Sequence, residues 1–364
     1  MSFTINTKTL QSMINKVIRG ASNNKLLPIT SYIDINFEDG TLSLTTTDMT
    51  NYITVKKNEL NGDNFTVVIS ADKFSKLVAK TTTENITLEL TDNSLIFKGN
   101  GTYNIDIPLN EEGNPIKYPM YNFTTIGDST IIKSTSIKSI LNYNKGCLST
   151  DVTIGGLINY YCDSDYVITS DAANIAINEC SITNEPILIS SQIMNLLGLF
   201  NDEDITFSKN ADKLLFSTPN MIVYGVVADG LSDYPNEAII GYLDANFLAS
   251  CEVSKTVLLN VLDRMSLFVD DFNQCNLNFN FTDKGIKISN KSNTAMEIVP
   301  YIGEVSMESL DEPYTCVINT VQLKAQITSL TSDVVEIHFA HEENVCIKFV
   351  EENVTKITAL VDDE

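Results

Sequence analysis

The sequence has 364 residues, a formal net charge of −23 and 43% hydrophobic residues. This length predicts two or three domains, and this hydrophobic content excludes a disordered chain. No run approaches the roughly 18 apolar residues of a membrane span, the first residues lack a secretory leader, and the seven cysteines form no CxxC pair. We therefore expect a cytoplasmic protein with reduced thiols and no membrane contact, whose acidic surface leaves only local patches for nucleic acid.

The first predicted helix covers residues 7–20, and its apolar residues at helical spacing are Leu10, Met13, Ile14 and Val17. The segment 27–48 alternates apolar and polar residues around Asp39-Gly40, which predicts two strands joined by a tight turn. A second helix is predicted at 71–80, and further strands follow over 84–109. The first third of the chain therefore reads as helix, strands, helix, strands.

This order recurs twice more along the chain. Four apolar positions across the second helix and the following strand are matched without gaps at a shift of 119 residues, and again at a further shift of 130. They are Phe74, Val78, Ile86 and Leu88, then Ile193, Leu197, Ile205 and Phe207, then Leu323, Ile327, Val335 and Ile337. Because an unbroken register is difficult to obtain by chance, we predict an α+β fold of three homologous domains with helices on one face of antiparallel sheets. The predicted domains are 1–125, 126–246 and 247–364.

Positive charge is concentrated in the predicted helices. Twelve basic and only two acidic residues fall in the six helix windows, which are 7–20, 71–82, 133–146, 190–201, 253–268 and 319–330. A helix that buries one face on a sheet exposes the other, so helices that line one common surface would make that surface positive. Such a surface attracts phosphate, while the acidic remainder repels nucleic acid. The simpler interpretation, that these lysines only solubilise exposed helices, leaves the missing acids unexplained.

The sequence carries no convincing catalytic or metal-binding set. Its two histidines, His338 and His341, fall within and at the end of a predicted strand, without cysteine or carboxylate ligands at metal-binding spacing. The carboxylates at 163–165 and 202–204 stand where turns are predicted, and no glycine-rich phosphate loop is present. We therefore expect a protein that is not an enzyme and that uses neither a cofactor nor a metal.

Three segments carry a resemblance to a known family. The segment LLPITSYIDINFEDGTLSLTTTDMTNYI (26–53) resembles the first-domain signature of the bacterial replicative polymerase's beta sliding clamp. The shared features are a Leu-Pro-Ile start, an Asp-Gly turn and a Leu-x-Leu-Thr-x-Thr-Asp strand end. DYVITSDAANIAI (165–177) is similar to the second-domain counterpart, and VVADGLSDYP (226–235) to the Asp-Gly-x-x-x-Asp-Tyr segment. The last third matches by pattern only.

The resemblance implies a head-to-tail homodimer, in which six domains form a ring around duplex DNA and keep a polymerase attached to it. Helices would line the hole, and their phosphate contacts would be weak and independent of sequence. The residues expected to face DNA are Lys8, Lys16, Arg19, Lys25, Lys73, Lys76, Lys80, Lys138 and Lys145. The implied partners are double-stranded DNA, the replicative DNA polymerase, a clamp loader and a second copy of the chain.

The resemblance also implies two protein interfaces. At the ring seam, the expected contacts are Tyr103 and Ile105 of one chain with Leu267 and Phe268 of the other. A cleft between the second and third domains would take a short apolar tail of the polymerase or loader. Its expected lining is Ile154, Ser170, Ala172, Ala173, Asn174, Ile175, Ser232, Cys346, Leu360 and Val361.

At this cleft the sequence departs from the family pattern. Ala173 and Asn174 stand where the family commonly has a His-Arg pair, and the chain ends in Asp362-Asp363-Glu364 rather than in an apolar tail. We therefore expect the cleft to bind the usual peptide poorly or differently. Such divergence, together with an Asn- and Ile-rich composition, would suit a bacteriophage clamp that recruits its own polymerase.

Two other classes of protein stay open at this point. An acidic, repeat-built structural protein, such as a virion or adhesion component, would also show the threefold register, but it would form no ring and stimulate no polymerase. An enzyme of nucleic-acid metabolism would need a catalytic set of residues. The shape of the particle separates these alternatives from a clamp, because the resemblance implies a ring.

Overall fold

The computed structural model of the protein describes residues 1–124, 129–268, 275–307, 313–343 and 345–361. The α-helices within these ranges are α1 (Thr7–Val17), α2 (Ala71–Lys80), α3 (Ser134–Tyr143), α4 (Ser191–Leu197), α5 (Asn236–Gly241), α6 (Lys255–Met265) and α7 (Thr320–Ser329). Each predicted helix window contains a helix. The sequence did not predict α5, because a helix of six residues is too short to establish a periodic apolar pattern.

The strands of the described residues follow in chain order. They are β1 (Ser2–Asn6), β2 (Tyr32–Glu38), β3 (Thr41–Thr47), β4 (Tyr52–Lys57), β5 (Phe65–Ser70), β6 (Asn85–Leu90), β7 (Ser94–Lys98), β8 (Thr102–Asp106), β9 (Thr130–Lys133), β10 (Asn159–Cys162), β11 (Tyr166–Ser170), β12 (Asn174–Glu179), β13 (Ile187–Ser190), β14 (Asp204–Asn210), β15 (Lys213–Thr218), β16 (Met221–Val226), β17 (Phe247–Ser254), β18 (Asn276–Thr282), β19 (Gly285–Ser289), β20 (Met296–Val299), β21 (Tyr301–Ser306), β22 (Tyr314–Asn319), β23 (Val334–His341), β24 (Cys346–Glu351) and β25 (Val354–Ala359).

The chain forms two compact units. The first comprises Met1–Ile137 and Gln192–Val227, and the second comprises Lys138–Ser191 and Ala228–Glu364. Among the described residues, the first unit has a four-stranded sheet of order β1-β6-β7-β8 and an eight-stranded sheet of order β5-β2-β3-β4-β16-β15-β14-β9. The second unit has a nine-stranded sheet of order β13-β10-β11-β12-β25-β24-β23-β17-β21 and a four-stranded sheet of order β20-β19-β18-β22. All strand pairings are antiparallel, which confirms the predicted α+β class.

Several helices begin where the last residue of a strand caps their first backbone amides. The Asn6 side chain accepts a hydrogen bond of 3.3 Å from the Thr9 amide at the start of α1. Ser70, Ser254 and Asn319 cap α2, α6 and α7 in the same way. These side chains satisfy amides that have no partner inside the helix, so a polar residue at the strand end marks the switch from strand to helix.

The apolar faces of the helices lie in the cores of the units. Leu10, Met13, Ile14 and Val17 of α1 are all buried. The twelve apolar positions of the predicted register are each at most 4% exposed, as expected for residues that pack in a core. In the hairpin between β2 and β3, Asp39 and Gly40 have φ of 47° and 77°, the left-handed conformation that this tight turn requires.

The largest sheets pair strands that are far apart in sequence. In the first unit β4 pairs with β16, with Tyr52 opposite Tyr224. In the second unit β12 pairs with β25, with Asn174 opposite Thr358.

Residue 125, the first predicted domain border, lies outside the described residues, and residue 246 directly precedes β17. The two compact units do not correspond one to one with three domains, so the three-domain division stays a prediction.

Candidate functional site

The helices of the first unit present cations to solvent. Helices α1 and α2 pack against each other, and their buried faces leave Lys8, Lys73 and Lys80 exposed; Arg19, in the 3₁₀ turn that follows α1, is exposed as well. None of these four forms an ion pair with another described residue. Lys76 differs, because its Nζ lies 2.8 Å from a carboxylate oxygen of Asp72 one turn earlier. The first two helices therefore carry uncompensated positive charge, as the sequence predicted.

A groove of about 430 Å³ lies beside α1 in the first unit. Four lysines line it: Lys8 and Lys16 from α1, and Lys56 and Lys57 from the end of β4. Lys16 Nζ donates a 2.7 Å hydrogen bond to Asn201 Oδ1, and Glu203 is the acidic residue of the lining. Sequence reasoning missed the β4 pair, because it counted charge in helices only. The signal was the consecutive pair of lysines that ends the strand YITVKK.

The other predicted DNA-facing residues lie elsewhere. Lys25 is exposed on the loop that follows α1 in the first unit. Lys138 is half-buried on α3, and Lys145 is exposed just beyond that helix; both belong to the second unit. The part of α4 in the first unit exposes the uncharged Gln192 and Asn195. Positive charge is therefore densest on α1 and α2.

Two of the three cations on α6 and α7 are paired with carboxylates. Arg264 at the end of α6 donates two hydrogen bonds, of 2.8 and 2.5 Å, to the Glu297 carboxylate on β20. Lys324 on α7 pairs with Asp263 on α6. Lys255 Nζ donates to the carbonyl oxygens of Thr328 and Leu330 at the end of α7. The charges of Arg264 and Lys324 are therefore compensated by acids, whereas Lys255 is hydrogen-bonded but keeps its net charge.

The predicted seam residues of the first unit lie on β8, which is the edge of its four-stranded sheet. Tyr103 is 43% exposed, as expected for a contact residue. Ile105 is buried, so the expectation that it contacts a partner is corrected: its side chain belongs to the core of the unit. The backbone edge of β8 and the Tyr103 ring are the parts of this strand that are open to another chain.

The predicted seam residues of the second unit form part of a larger apolar patch. Leu267 and Phe268, in the 3₁₀ turn after α6, are 79% and 52% exposed. The nearby edge strand β20 adds the exposed Met296 and Ile298, which the sequence analysis missed. Asn290, in the connection between β19 and β20, donates a 3.1 Å hydrogen bond from Nδ2 to the Phe268 carbonyl. Arg264, one turn earlier on α6, binds Glu297 of β20 itself. The missed signal was the alternation of apolar residues in MEIV.

The predicted cleft residues divide into buried and accessible groups. Ile175 and Cys346 are buried in one cluster with Leu157 and Tyr234, and Ser170 and Asn174 are buried as well. These four were expected to line a surface, and the structure places them beneath it instead. Ile154, Ala172 and Ser232 are exposed, and Ala173, Leu360 and Val361 are half-buried.

Backbone pairing brings several of these segments together. The Ala359 amide donates a 2.8 Å hydrogen bond to the carbonyl of Ala173, the residue before β12, which extends the β12–β25 pairing by one residue. The Leu360 and Val361 amides bind the carbonyls of Val345 and Val317 at 2.8 and 2.9 Å, so this end of the described chain is held in place. Residues 362–364, the acidic end of the chain, lie outside the described residues.

Asn174, which stands with Ala173 where the family commonly has a His-Arg pair, forms hydrogen bonds within its own turn. Its Nδ2 donates to both carboxylate oxygens of Asp171, at 3.3 and 3.1 Å. Its Oδ1 is buried without a hydrogen-bond partner among the described residues. Ala172, in the same turn, has a φ of 77°. The turn therefore offers a partner small side chains rather than a basic pair.

Aromatic residues that the sequence analysis did not single out lie close to Cys346. Tyr242 follows α5 and joins the Ile175–Cys346 cluster together with Phe247. The centroids of the Phe247 and His341 rings lie 5.1 Å apart. Lys348 Nζ lies 4.8 Å from the centroid of the same Phe247 ring. Partial burial lowers the pKa of Lys348 from its usual value. This set gives the second unit a half-exposed aromatic surface.

No group of three or more potential metal ligands occurs in the part of the chain that the structure describes. His338 Nε2 lies 2.8 Å from Glu336 Oε1 within the same strand. Asp163 accepts hydrogen bonds from the amides of Asp165 and Tyr166, as predicted for a turn. None of the described helices has the length and apolarity of a membrane span.

The comparisons with known proteins address the family directly. Residues 1–116 match the family model of the DNA polymerase III beta subunit, N-terminal domain. No curated protein sequence matches the chain. Solved structures resemble it over its whole length.

Three such structures illustrate the likeness. The beta chain of DNA polymerase III from Streptococcus pneumoniae is 16% identical, with a TM-score of 0.85 over 99% of each chain. The DNA polymerase sliding clamp from Bacillus subtilis is 17% identical, with a TM-score of 0.84 over all of both chains. The beta subunit from Borrelia burgdorferi, solved in complex with a natural product, is 18% identical, with a TM-score of 0.84 over all of both chains.

The resemblance predicted from the sequence is therefore confirmed by an independent match at the N-terminal end and by the fold of the whole chain. The structural likeness also covers the last third, where the sequence matched by pattern only. Residues 1–116 thus match the family model of the DNA polymerase III beta subunit, N-terminal domain, and the chain as a whole has the sliding-clamp fold.

Proposed function

We propose that this protein is a DNA sliding clamp, a non-catalytic ring that encircles duplex DNA and tethers a replicative polymerase. The observation that carries the proposal is the charge on α1 and α2. Lys8, Arg19, Lys73 and Lys80 are exposed without an ion-pair partner among the described residues, in a chain of net charge −23. The family match over residues 1–116 and the clamp fold support the same conclusion.

The physics of such a clamp requires weak contacts. A ring is retained on DNA by its closure, so the inner surface needs only an attraction for phosphates that does not depend on base sequence. Exposed lysines on helices supply it, because their flexible side chains follow any phosphate without a fixed geometry. Tight contacts would stop sliding. The acidic remainder of the chain disfavours DNA at other surfaces.

Topological retention tests the proposal. Diluted protein, dissociated into monomers, is concentrated in the presence of nicked circular DNA, so that rings close around the circle by mass action. We expect the protein to remain on the circle through gel filtration and to leave once a restriction enzyme cuts it. Equal retention on circular and linear DNA would contradict a clamp, and so would a particle without a central hole in negative stain.

We propose that the ring is a head-to-tail homodimer. The β8 edge with Tyr103 would meet the apolar patch of Leu267, Phe268, Met296 and Ile298 of a second copy. Exposed apolar side chains next to an unpaired strand edge support this contact. The variant Phe268→Asp should be monomeric by analytical ultracentrifugation. Val321→Asp, at an equally exposed apolar residue on α7, serves as the control and should stay dimeric.

We propose that the polymerase and the clamp loader bind the second unit at Ile154, Ala173, Leu360 and Val361, through short apolar tails. Their exposure or partial exposure and the aromatic surface around Phe247 support this site. Because Ala173 and Asn174 replace a basic pair, we expect a preference for tails without an acidic residue at that position. Ile154→Asp should weaken binding of the partner's tail peptide, and unchanged affinity would count against the site.

The proposed organisation has three domains, at 1–125, 126–246 and 247–364, and the proposed location is the cytoplasm. The shared burial of the twelve register positions supports the domains. Strand pairs such as β4–β16 would then be the junctions between neighbouring domains. A clamp has no catalytic step, so the proposal includes neither an enzymatic activity nor a cofactor.

A further inference from the structure

A cavity of about 1240 Å³ in the first unit lies beside the segment 107–120, and we call it the connector pocket. Its floor is formed by neighbouring residues of β2 and β5, where Asp34 lies opposite Val68 and Asn36 opposite Thr66. Strand β5 is the edge of the eight-stranded sheet. The floor is therefore part of a rigid sheet.

The wall of the connector pocket is an ordered loop. Ile107, Ile116 and Met120 contribute apolar side chains to it. The loop is closed by the Ile116 amide, which donates a 3.0 Å hydrogen bond to the Pro108 carbonyl. Tyr118 fastens the loop to the floor, because its hydroxyl donates a 3.2 Å hydrogen bond to the Tyr32 carbonyl. The pocket thus has a wall with apolar side chains among polar ones and a floor that contains a carboxylate.

The Asp34 carboxylate has no partner in the described part of the chain. Asp34 is only 6% exposed, and it faces the pocket. The polar groups around it are engaged with each other: Thr45 shares a 2.9 Å hydrogen bond with Thr54, and Thr66 donates a 2.7 Å hydrogen bond to Asn36 Oδ1. A buried carboxylate without a hydrogen bond or a cation is energetically costly. Burial raises the pKa of Asp34 to about 6, so the group is still mostly ionised at neutral pH.

The surroundings of Asp34 favour a cation of a particular kind. Asp92 and Glu112 also line the pocket, against one basic side chain, Lys117. No described group of three potential ligands could hold a metal ion, and a divalent ion at a single carboxylate would lack its other ligands. A guanidinium or ammonium group on a long apolar stem fits better, because the stem packs on the apolar wall while the charge reaches the carboxylate.

We propose that the connector pocket binds an extended peptide segment of a partner protein, whose arginine or lysine side chain pairs with Asp34. The cavity exceeds the usual volume of small-molecule sites, about 300–1,000 Å³, which favours several residues over a single metabolite. Asn36, Asn110 and Asn114 line the same pocket and offer groups that can bind the peptide backbone. This site lies entirely within the first unit, and it does not depend on whether the protein encircles DNA.

A peptide titration followed by methyl NMR tests the proposal on the full chain. The probe is acetyl-Ala-Leu-Arg-Leu-Ala-amide, and its control replaces arginine by citrulline, which has the same shape without the charge. The Met120 methyl resonance reports on the pocket. We expect the arginine peptide to shift this resonance. The citrulline peptide should have an affinity lower by about tenfold or more.

Two variants and a metal titration decide the outcome. Asp34→Asn should weaken the arginine peptide about tenfold, while Asp39→Asn, at an exposed turn of the same hairpin, should leave its affinity unchanged. Thermal unfolding of the free variants checks their folding. The proposal is overturned if the arginine peptide does not shift Met120, if citrulline binds equally well, if Asp34→Asn binds like the wild type, or if Mg²⁺ alone produces the shift at physiological concentration.

Discussion

Helix pairs α1–α2 and α6–α7 are built on the same plan and differ in charge. Both pairs pack together, bury an apolar face and begin at capping residues. The first pair exposes cations with no ion-pair partner among the described residues, whereas Arg264 and Lys324 of the second pair are bound to Glu297 and Asp263. Because the same scaffold exists with and without free cations, the positive charge of α1 and α2 is not a by-product of the fold.

The two units also contain buried ionisable groups of opposite sign. Asp34 in the first unit is a buried acid without a partner. Lys356 in the second unit is fully buried, and its Nζ donates hydrogen bonds to the Gln326 carbonyl and to Ser329 Oγ near the end of α7. The first group lines a cavity and has no protein partner among the described residues, whereas the second supports a helix end. The comparison suggests a ligand for the first and a structural role for the second.

Reversing the charge of the first helix pair should have the largest effect. The combined variant of Lys8, Arg19, Lys73 and Lys80 to Glu should lower DNA association by about 1,000-fold at low salt, because each position would repel phosphate. Its thermal unfolding should stay unchanged, since all four side chains are exposed. Fluorescence anisotropy with duplex DNA at several salt concentrations measures this. Wild-type affinity in this variant would remove the basis of the comparison.

The buried Lys356 should make the second unit more stable at alkaline pH. Burial lowers its pKa to about 8, from 10.5 in an unfolded chain. Between these values the unfolded state binds more protons, so the free energy of unfolding rises with pH, by about 3 kcal/mol in total. Urea unfolding measures the free energies of unfolding of the wild type and of Lys356→Met at about pH 7 and about pH 10.5. The difference between the two proteins should change by this amount from the lower to the higher pH. A constant difference would mean that Lys356 is not desolvated.

Asp34 should act in the opposite direction in the first unit. Burial raises its pKa to about 6, from 3.8, so the folded state binds more protons between these values. The free energy of unfolding therefore falls as pH rises from about 4 to about 6, by roughly 3 kcal/mol in total, and this loss persists at neutral pH. Asp34→Asn should abolish this part of the pH dependence, and Asp39→Asn should retain it. Identical pH profiles for all three proteins would exclude a buried, ionised Asp34.

The smallest effect is expected from removing the anionic partners of the second helix pair. Asp263→Asn with Glu297→Gln frees Lys324 and Arg264, so DNA affinity should rise by about threefold at low salt. The same measurement on Glu38→Gln, an exposed acid at the end of β2, should show a smaller change. A change no larger than that of Glu38→Gln would indicate that the second pair is turned away from DNA.

Much of the fold could be read from local pattern. The helix positions followed from residues such as Leu10 and Phe74 at helical spacing, and the β2–β3 hairpin followed from Asp39-Gly40. Helix α5 was not predicted, because its apolar run is too short. The pairing of β4 with β16 was not predicted either, because no local pattern in the sequence specifies which distant strand pairs with a given strand.

The candidate sites were less accessible to sequence reasoning than the fold. Exposed helix lysines such as Lys8 and Lys73 could be predicted, because a polar residue opposite an apolar stripe faces solvent. Ile105, Asn174 and Cys346 could not be assigned to surface or core, because burial in a strand depends on what covers each face. Lys56 and Asp34 became candidates only when neighbouring elements were seen to form a groove and a pocket around them.

The sequence by itself determined most of the secondary structure, the apolar register along the chain and the excess of positive charge on helices, since these depend on spacing along the chain. The tertiary structure decided which charges are compensated, which strand edges are open and which acid is buried without a partner. Those properties arise from contacts between residues far apart in sequence, such as Arg264 with Glu297, and no periodicity records them.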